Sequence, residues 1–190
     1  MSAVVLAVAY IGIGVLAGAA LLVAMLRRQR EVVDAKRRRG DFIYSFDDAI
    51  AAFPVADLAD EDAHLYLWST RQNFREGEAA RVARAWGFEP VGEVIWGLRN
   101  AGMGAGPFRN DHEPVLVARR GSLPFPTGAE PAGVFFWKQV YNRGKVHSAK
   151  PLAFLDLVER LSPGPYVELF ARQPRLGWDS WGWGYEGASA

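Results

Sequence analysis

Hydrophobic positions divide the chain into one continuous apolar run and a series of alternating or helically spaced segments. Ala3 to Leu26 is 24 residues without a charge and with one polar ring, Tyr10. As a helix it measures about 36 Å, enough to cross a hydrocarbon core of roughly 30 Å. It shows no polar face, which a soluble surface helix would. Gly14 and Gly18 have the spacing that lets two helices approach closely. Arg27, Arg28 and Arg30, then Lys36 to Arg39, follow directly, and the positive-inside rule puts that side in the cytoplasm. The pattern predicts a single-pass membrane helix with a basic flank over 1–40 and a cytoplasmic domain over 41–190. No positive charge precedes the run, which argues against a cleaved signal peptide. Gly12, Gly14 and Ala17, with Asp34 beyond, outline a dinucleotide-binding fingerprint, but Val15–Leu26 is apolar all round and Val32-Val33 is too short, so the amphipathic helix and the second strand of that motif are both missing. A leader read from a wrong gene start or frame is the alternative, and it leaves the domain cytoplasmic without an anchor.

Beyond residue 41 the periodicity changes to that of an α/β domain. Ser45, with Asp48 three residues on, caps a short helix that ends at Phe53-Pro54. His64 to Ser69 is a buried strand in which His64 packs. Asn73–Trp86 reads as one helix with Ala79, Val82, Ala83 and Trp86 on a face, closed by Gly87. Strands follow over Glu89–Leu98, Pro114–Arg119 and Gly133–Tyr141. Between the first two lies a Gly-rich loop, Arg99–Pro107, without the Lys and Ser/Thr of a phosphate-binding P-loop. Pro151 opens a helix whose Leu152, Leu155, Val158 and Leu161 share a face, and Ser162-Pro163-Gly164-Pro165 stops it. Tyr166 to Phe170 is a strand that opens into a Gly- and aromatic-rich loop. In open α/β sheets, ligands bind beyond such strand ends.

Composition narrows the chemistry. There is no Cys, so disulfides, thiolate metal sites and Cys nucleophiles are excluded. His64, His112 and His147 are too widely spaced to form a metal signature. The net charge of +1 hides an asymmetry: Arg27 to Arg39 carries +5, and the chain from Gly40 onward carries −4. The domain is therefore not a strongly basic nucleic-acid binder, and the basic run suits a lipid-facing flank. Lys150 stands out because a cation at a helix start opposes the helix dipole. It is either a solvated side chain or, with the free N–H groups of the helix start, a holder of an anionic ligand group.

His147–Pro151 (HSAKP), Val158–Gly164 (VERLSPG) and Glu168–Gly182 (ELFAR…GWDSWG) resemble the S-adenosylmethionine-dependent methyltransferases that modify the exocyclic amine of adenine. That family includes the messenger-RNA adenosine methyltransferase and its phage and bacterial DNA relatives. Pro54–Trp68, Ala85–Phe88 and Arg109–Gly121 continue the resemblance in order, over Phe46 to Gly184. It implies a Rossmann-like sheet, S-adenosylmethionine as cofactor, a DNA or RNA substrate and homo- or hetero-dimeric association. It also implies that Lys150 meets the methionine carboxylate, Phe170 packs near the cofactor, Arg172 reaches the ribose and Glu168 is a further cofactor-binding position. Arg109, Asn110 and His112 are placed at the site loop beside the nucleic acid.

One departure changes the expectation. The family's catalytic motif is Asp-Pro-Pro-aromatic on a strand end ahead of Pro54, and this chain contains no Pro-Pro pair. The closing amide of the family is also replaced, by Trp183 after Trp181-Gly182. The resemblance thus implies an incomplete sheet without its catalytic strand and no catalytic residue in this chain. It leaves two readings: an impaired adenine methyltransferase, or a silent, membrane-anchored binding subunit. Either leaves apolar surface on Tyr166–Phe170 uncovered unless Ala3–Tyr10 or a partner fills the gap.

Overall fold

The computed structural model describes residues 7–10, 50–98, 107–127, 131–137, 150–171 and 174–181, with backbone alone at 7–10 and 181. Strand β2 (Ala63–Trp68) lies at the middle of the sheet, and all six of its residues are buried. Alternation sends Leu65 and Leu67 to one face and Tyr66 and Trp68 to the other. A strand covered on both faces needs apolar residues at every position, which is why HLYLW reads as a run.

The described strands form one seven-stranded sheet. The others are β1 (Ala7–Tyr10), β3 (Glu89–Gly97), β4 (His112–Arg120), β5 (Val134–Phe135), β6 (Tyr166–Leu169) and β7 (Trp178–Trp181), in the order β5-β3-β4-β2-β1-β6-β7. The α/β class holds, but the sheet is mixed rather than Rossmann-like parallel. β1 and β4 run against the other five strands, so four of the six pairings are antiparallel. The five co-directional strands still bring their carboxyl ends to one edge.

Two helices cover opposite faces. Helix α2 (Glu78–Ala85) packs Ala79, Val82 and Ala83 onto Leu65, Leu67, Leu116, Val167 and Leu169. Helix α3 (Leu152–Leu161) packs Phe154, Leu155 and Val158 onto Tyr66, Trp68, Val94, Trp96 and Trp178. Each large apolar side chain so buried contributes about 1.5–3 kcal/mol relative to exposure.

Four expectations are corrected. The continuous apolar helix over Ala3–Leu26 does not form, because Ala7–Tyr10 is a strand between β2 and β6. Its pairs, Ala7 with Leu67 and Leu169 and Val8 with Tyr66 and Glu168, satisfy two strand edges that otherwise bury unpaired backbone groups. The rest of that run, Ile11 to Leu26, lies outside the described residues. No helix among the described residues is long and apolar enough to cross a membrane. The gap beside β6 is thus filled by Ala7–Tyr10, one of the two occupants anticipated.

The helix expected over Asn73–Trp86 is two helices, α1 (Arg71–Arg75) and α2, broken at Gly77. Thr70 caps α1 by accepting from Asn73 N–H at 3.2 Å, and Gly77 turns the chain at φ 80, a conformation that glycine adopts without a Cβ penalty. The strand expected over Gly133–Tyr141 pairs only at Val134–Phe135; its part beyond 137 lies outside the described residues. Trp178–Trp181, expected as loop, is an edge strand parallel to β6.

Candidate functional site

The site candidates sit at the edge where β2, β3 and β6 end and β4 begins. Lys150 stands one residue ahead of Pro151, whose φ of −64 and ψ of 132 lead into α3. It is not a solvated side chain. Its Nζ donates to Glu113 Oε2 and lies 4.8 Å from the centre of the Trp68 ring. The Lys150 side chain is 13% exposed and Glu113 33%, so this pair is partly withdrawn from water. A carboxylate on one side and an aromatic face on another hold the ammonium by charge-assisted hydrogen bonding and ring-quadrupole attraction.

On the same face as α3, β6 carries Glu168 into the sheet interior. Register places it between Val8 of β1 and Ser180 of β7. Its residue exposure is 6%, and Glu168 Oε2 finds no hydrogen-bond partner among the described residues. Ser180 Oγ and Trp68 Nε1 are likewise buried and without a partner there. One carboxylate oxygen, one hydroxyl and one N–H thus stand unsatisfied on three strands, each an expensive arrangement in a closed core. Burial pushes the Glu168 carboxyl up to about 7, against the opposing pull of the Arg175 charge. That charge is engaged mainly elsewhere: Arg175 donates to Glu159 at 2.8 Å and to Asp156 at 2.6 Å, fastening the start of the turn into β7 onto α3. The Arg175 hydrogen bond in turn holds Glu159 below its usual range, and Trp178 Nε1 donates to the same carboxylate.

Arg109, Asn110 and His112 lie where β4 enters the sheet. Arg71 of α1 donates to the Arg109 carbonyl at 2.6 Å and to Asn110 Oδ1 at 3.0 Å. Leu98 N–H donates to the Asp111 carbonyl at 2.6 Å. His112 Nδ1 meets Asp111 Oδ1 at 2.9 Å, and that contact is the main reason the Asp111 carboxyl sits below its usual range. The loop is therefore pinned from both sides, by α1 and by the end of β3.

The residues expected to bind one cofactor are not all on one face. Lys150 and Glu168 lie on the α3 side. Phe170 lies beyond the end of β6, packed against the α2-side core and edge-on to Phe53 at 5.4 Å. Its φ of 64 is unusual for a residue with a Cβ, a kind of strain that clusters at functional sites. Arg172 lies outside the described residues, as does Trp183. Glu113 and Trp68 were not singled out from the sequence. Only pairing opposite strand ends brings them to Lys150, although the acidic end of RNDHE was a signal for Glu113. No group of three His, Cys, Asp or Glu among the described residues could hold a metal ion.

His64 belongs to the core rather than to this edge. Its Nε2 lies 3.1 Å from the Leu123 carbonyl, which can only accept, so the N–H is at Nε2. Ser162 then donates to Nδ1 at 2.8 Å and accepts from the Tyr66 hydroxyl at 2.8 Å. Burial lowers the His64 pKa and raises that of Tyr66 to about 12, so this network stays neutral.

Residues 31–184 match the family model MT-A70. Over 132 residues, 67% of this chain and 53% of the relative, the chain is 32% identical to the type II methyltransferase M.MunI of Mycoplasma sp. Over 166 residues, 78% of this chain and 42% of the relative, it is 28% identical to the N6-methyladenosine RNA methyltransferase MTA1 of Pyricularia oryzae. The chain spans about half the length of these curated relatives.

Proposed function

The chain belongs to the MT-A70 family, and from that membership we propose that it is an S-adenosylmethionine-binding, adenine N6-methyltransferase-like protein of nucleic acid whose own residues do not position the acceptor amine. The observation that carries the reading is the α3 face at the strand ends. A partly buried cation, Lys150, stands on the same face as Glu168, whose carboxylate oxygen lacks a partner among the described residues. The donor set fits the cofactor. Lys150 suits a carboxylate, the free Glu168 oxygen suits an ammonium or a sugar hydroxyl, and Trp68 Nε1 offers a donor. The cofactor supplies an activated methyl group. The work left to the protein is to hold the acceptor nitrogen in line with it and stabilise developing charge. In the family this falls to Asp-Pro-Pro-aromatic, and the chain has no Pro-Pro pair. Ala7–Tyr10, the strand next to β6, carries no carboxylate. A displacement of about 1 Å already costs on the order of a hundredfold in rate, and here a whole acceptor-holding segment differs. We therefore expect cofactor binding without methyl transfer by the chain alone.

Calorimetry tests this. S-adenosylmethionine should bind the parent, and Lys150→Ala should weaken binding by about 1–3 kcal/mol, the size of a charge-assisted hydrogen bond. Equal binding by both, or none by either, refutes the site. Tritiated methyl transfer to adenine-containing DNA and RNA should stay at background; turnover suppressed by a cofactor analogue refutes the inactive reading. The replaced strand favours a second role, that of a binding subunit working beside an active copy, which mixing with an active relative would reveal as a change in that relative's turnover.

A further inference from the structure

Among the described strands β7 is an edge of the sheet, and it is fastened unevenly. Its first residue is anchored on α3. Trp178 is buried, stacks on Tyr166 at 4.7 Å between ring centres and donates from Nε1 to Glu159 at 2.6 Å. Arg175, just ahead, grips Asp156 and Glu159 of the same helix. Ser180, two residues on, brings no such anchor. It stands opposite Glu168 in register, yet its Oγ is buried without a partner among the described residues, and so is Glu168 Oε2. This half of β7 holds to β6 by backbone pairing and covers a carboxyl to which it brings no cation.

The groups around Glu168 leave its charge uncompensated. Arg175 is the cation that draws its carboxyl down, and that guanidinium is committed to Asp156 and Glu159 of α3. β7 adds Asp179, a like charge. β2 adds His64 and Tyr66, which burial keeps neutral, and β1 adds no charge. An ionised Glu168 is therefore costly while β7 covers it. The least costly way to hydrate it is to part Ser180 and Trp181 from β6, because β7 is the edge and this end has no anchor on α3. We propose that the Ser180–Trp181 end of β7 is a proton-controlled strap. It is docked on β6 while Glu168 is protonated and released, with Trp178 as pivot, when Glu168 ionises. β6 and β7 are parallel, so the released end lies at the strand-end edge beside Lys150, and rising pH opens that edge. The strap stands whether or not a cofactor binds there. The docked carboxyl has the higher pKa, about 7 against 4.5. Docking is thus favoured most below about 4.5 and is lost as pH rises through about 7, and the released-to-docked ratio grows on the order of a hundredfold between about pH 5 and 8.

The chain has no Cys, so one introduced thiol reports opening without background. Ser180→Cys in the full chain is labelled with a maleimide, and its rate is taken relative to a free cysteine peptide at the same pH. That relative rate should rise on the order of a hundredfold from about pH 5 to 8. With Glu168→Gln added it should stay flat. Ala118→Cys, fully buried in β4, should react far more slowly at every pH, because it needs the whole sheet to open. A flat rate for Ser180→Cys, the same rise with Glu168→Gln, or equal rates at both positions overturns the strap. Hydrogen exchange of the unsubstituted chain gives a second reading that needs no cysteine. Over the same pH range β7 amides should lose protection with little dependence on low urea, as a local opening does, while β2 amides exchange only through urea-sensitive global unfolding. Equal protection and equal urea dependence in the two strands overturns the strap as well.

Discussion

Glu168→Gln isolates the cost of the buried carboxyl. Glu168 is 6% exposed, one oxygen has no partner among the described residues, and burial lifts its pKa from 4.5 to about 7. Because the folded-state pKa lies above the unfolded one, the folded protein binds more protons between those values. Stability is therefore highest below about pH 4.5 and falls as pH rises, levelling off above about 7. The distance between those two values sets the loss at about 3 kcal/mol. Gln has the same shape and never ionises. Its stability relative to the parent should be near zero at pH 4.5 and reach about +3 kcal/mol at pH 8. Urea denaturation at intervals from pH 4.5 to 8.5 reads this directly, as a midpoint difference growing to about 1–3 M for an m-value of 1–3 kcal/mol/M. Taking the difference at each pH removes the opposite slope expected from His64. Burial lowers that pKa, so the His64 contribution is lost as pH falls below 6.5. A stability difference that stays flat with pH would refute the reasoning, since it would mean that Glu168 ionises in the fold as freely as in water.

Ser162→Ala removes the hydroxyl that joins His64 Nδ1 to the Tyr66 hydroxyl; each group left unsatisfied costs about 1–3 kcal/mol, and chemical denaturation should show that loss without a change in cofactor affinity. Gly77→Ala places a Cβ in open space but at φ 80, so its cost is conformational, about 1–2 kcal/mol, and the melting temperature should drop by several degrees.

Local pattern carried much of this molecule. The run HLYLW required a strand buried on both faces, and β2 is one. Leu155 and Val158 at helical spacing, closed by Ser162 and Pro163, required α3. The ordered motifs from Pro54 to Gly182 carried the family, because motifs keep their residues wherever they sit in space. Tertiary structure decided the rest. A charge-free run satisfies a membrane and a sheet equally well. Ala7–Tyr10 became a strand because β2 and β6 run in the same direction with a strand's width between them. The break at Gly77 was legible only as a glycine, since periodicity survives a tight turn between two helices. Lys150 read as solvated or ligand-facing, and neither spacing nor composition pointed to Glu113 and Trp68. These lie 37 and 82 positions away in the chain, and only the pairing of β2, β4 and β3 folds them onto one ammonium.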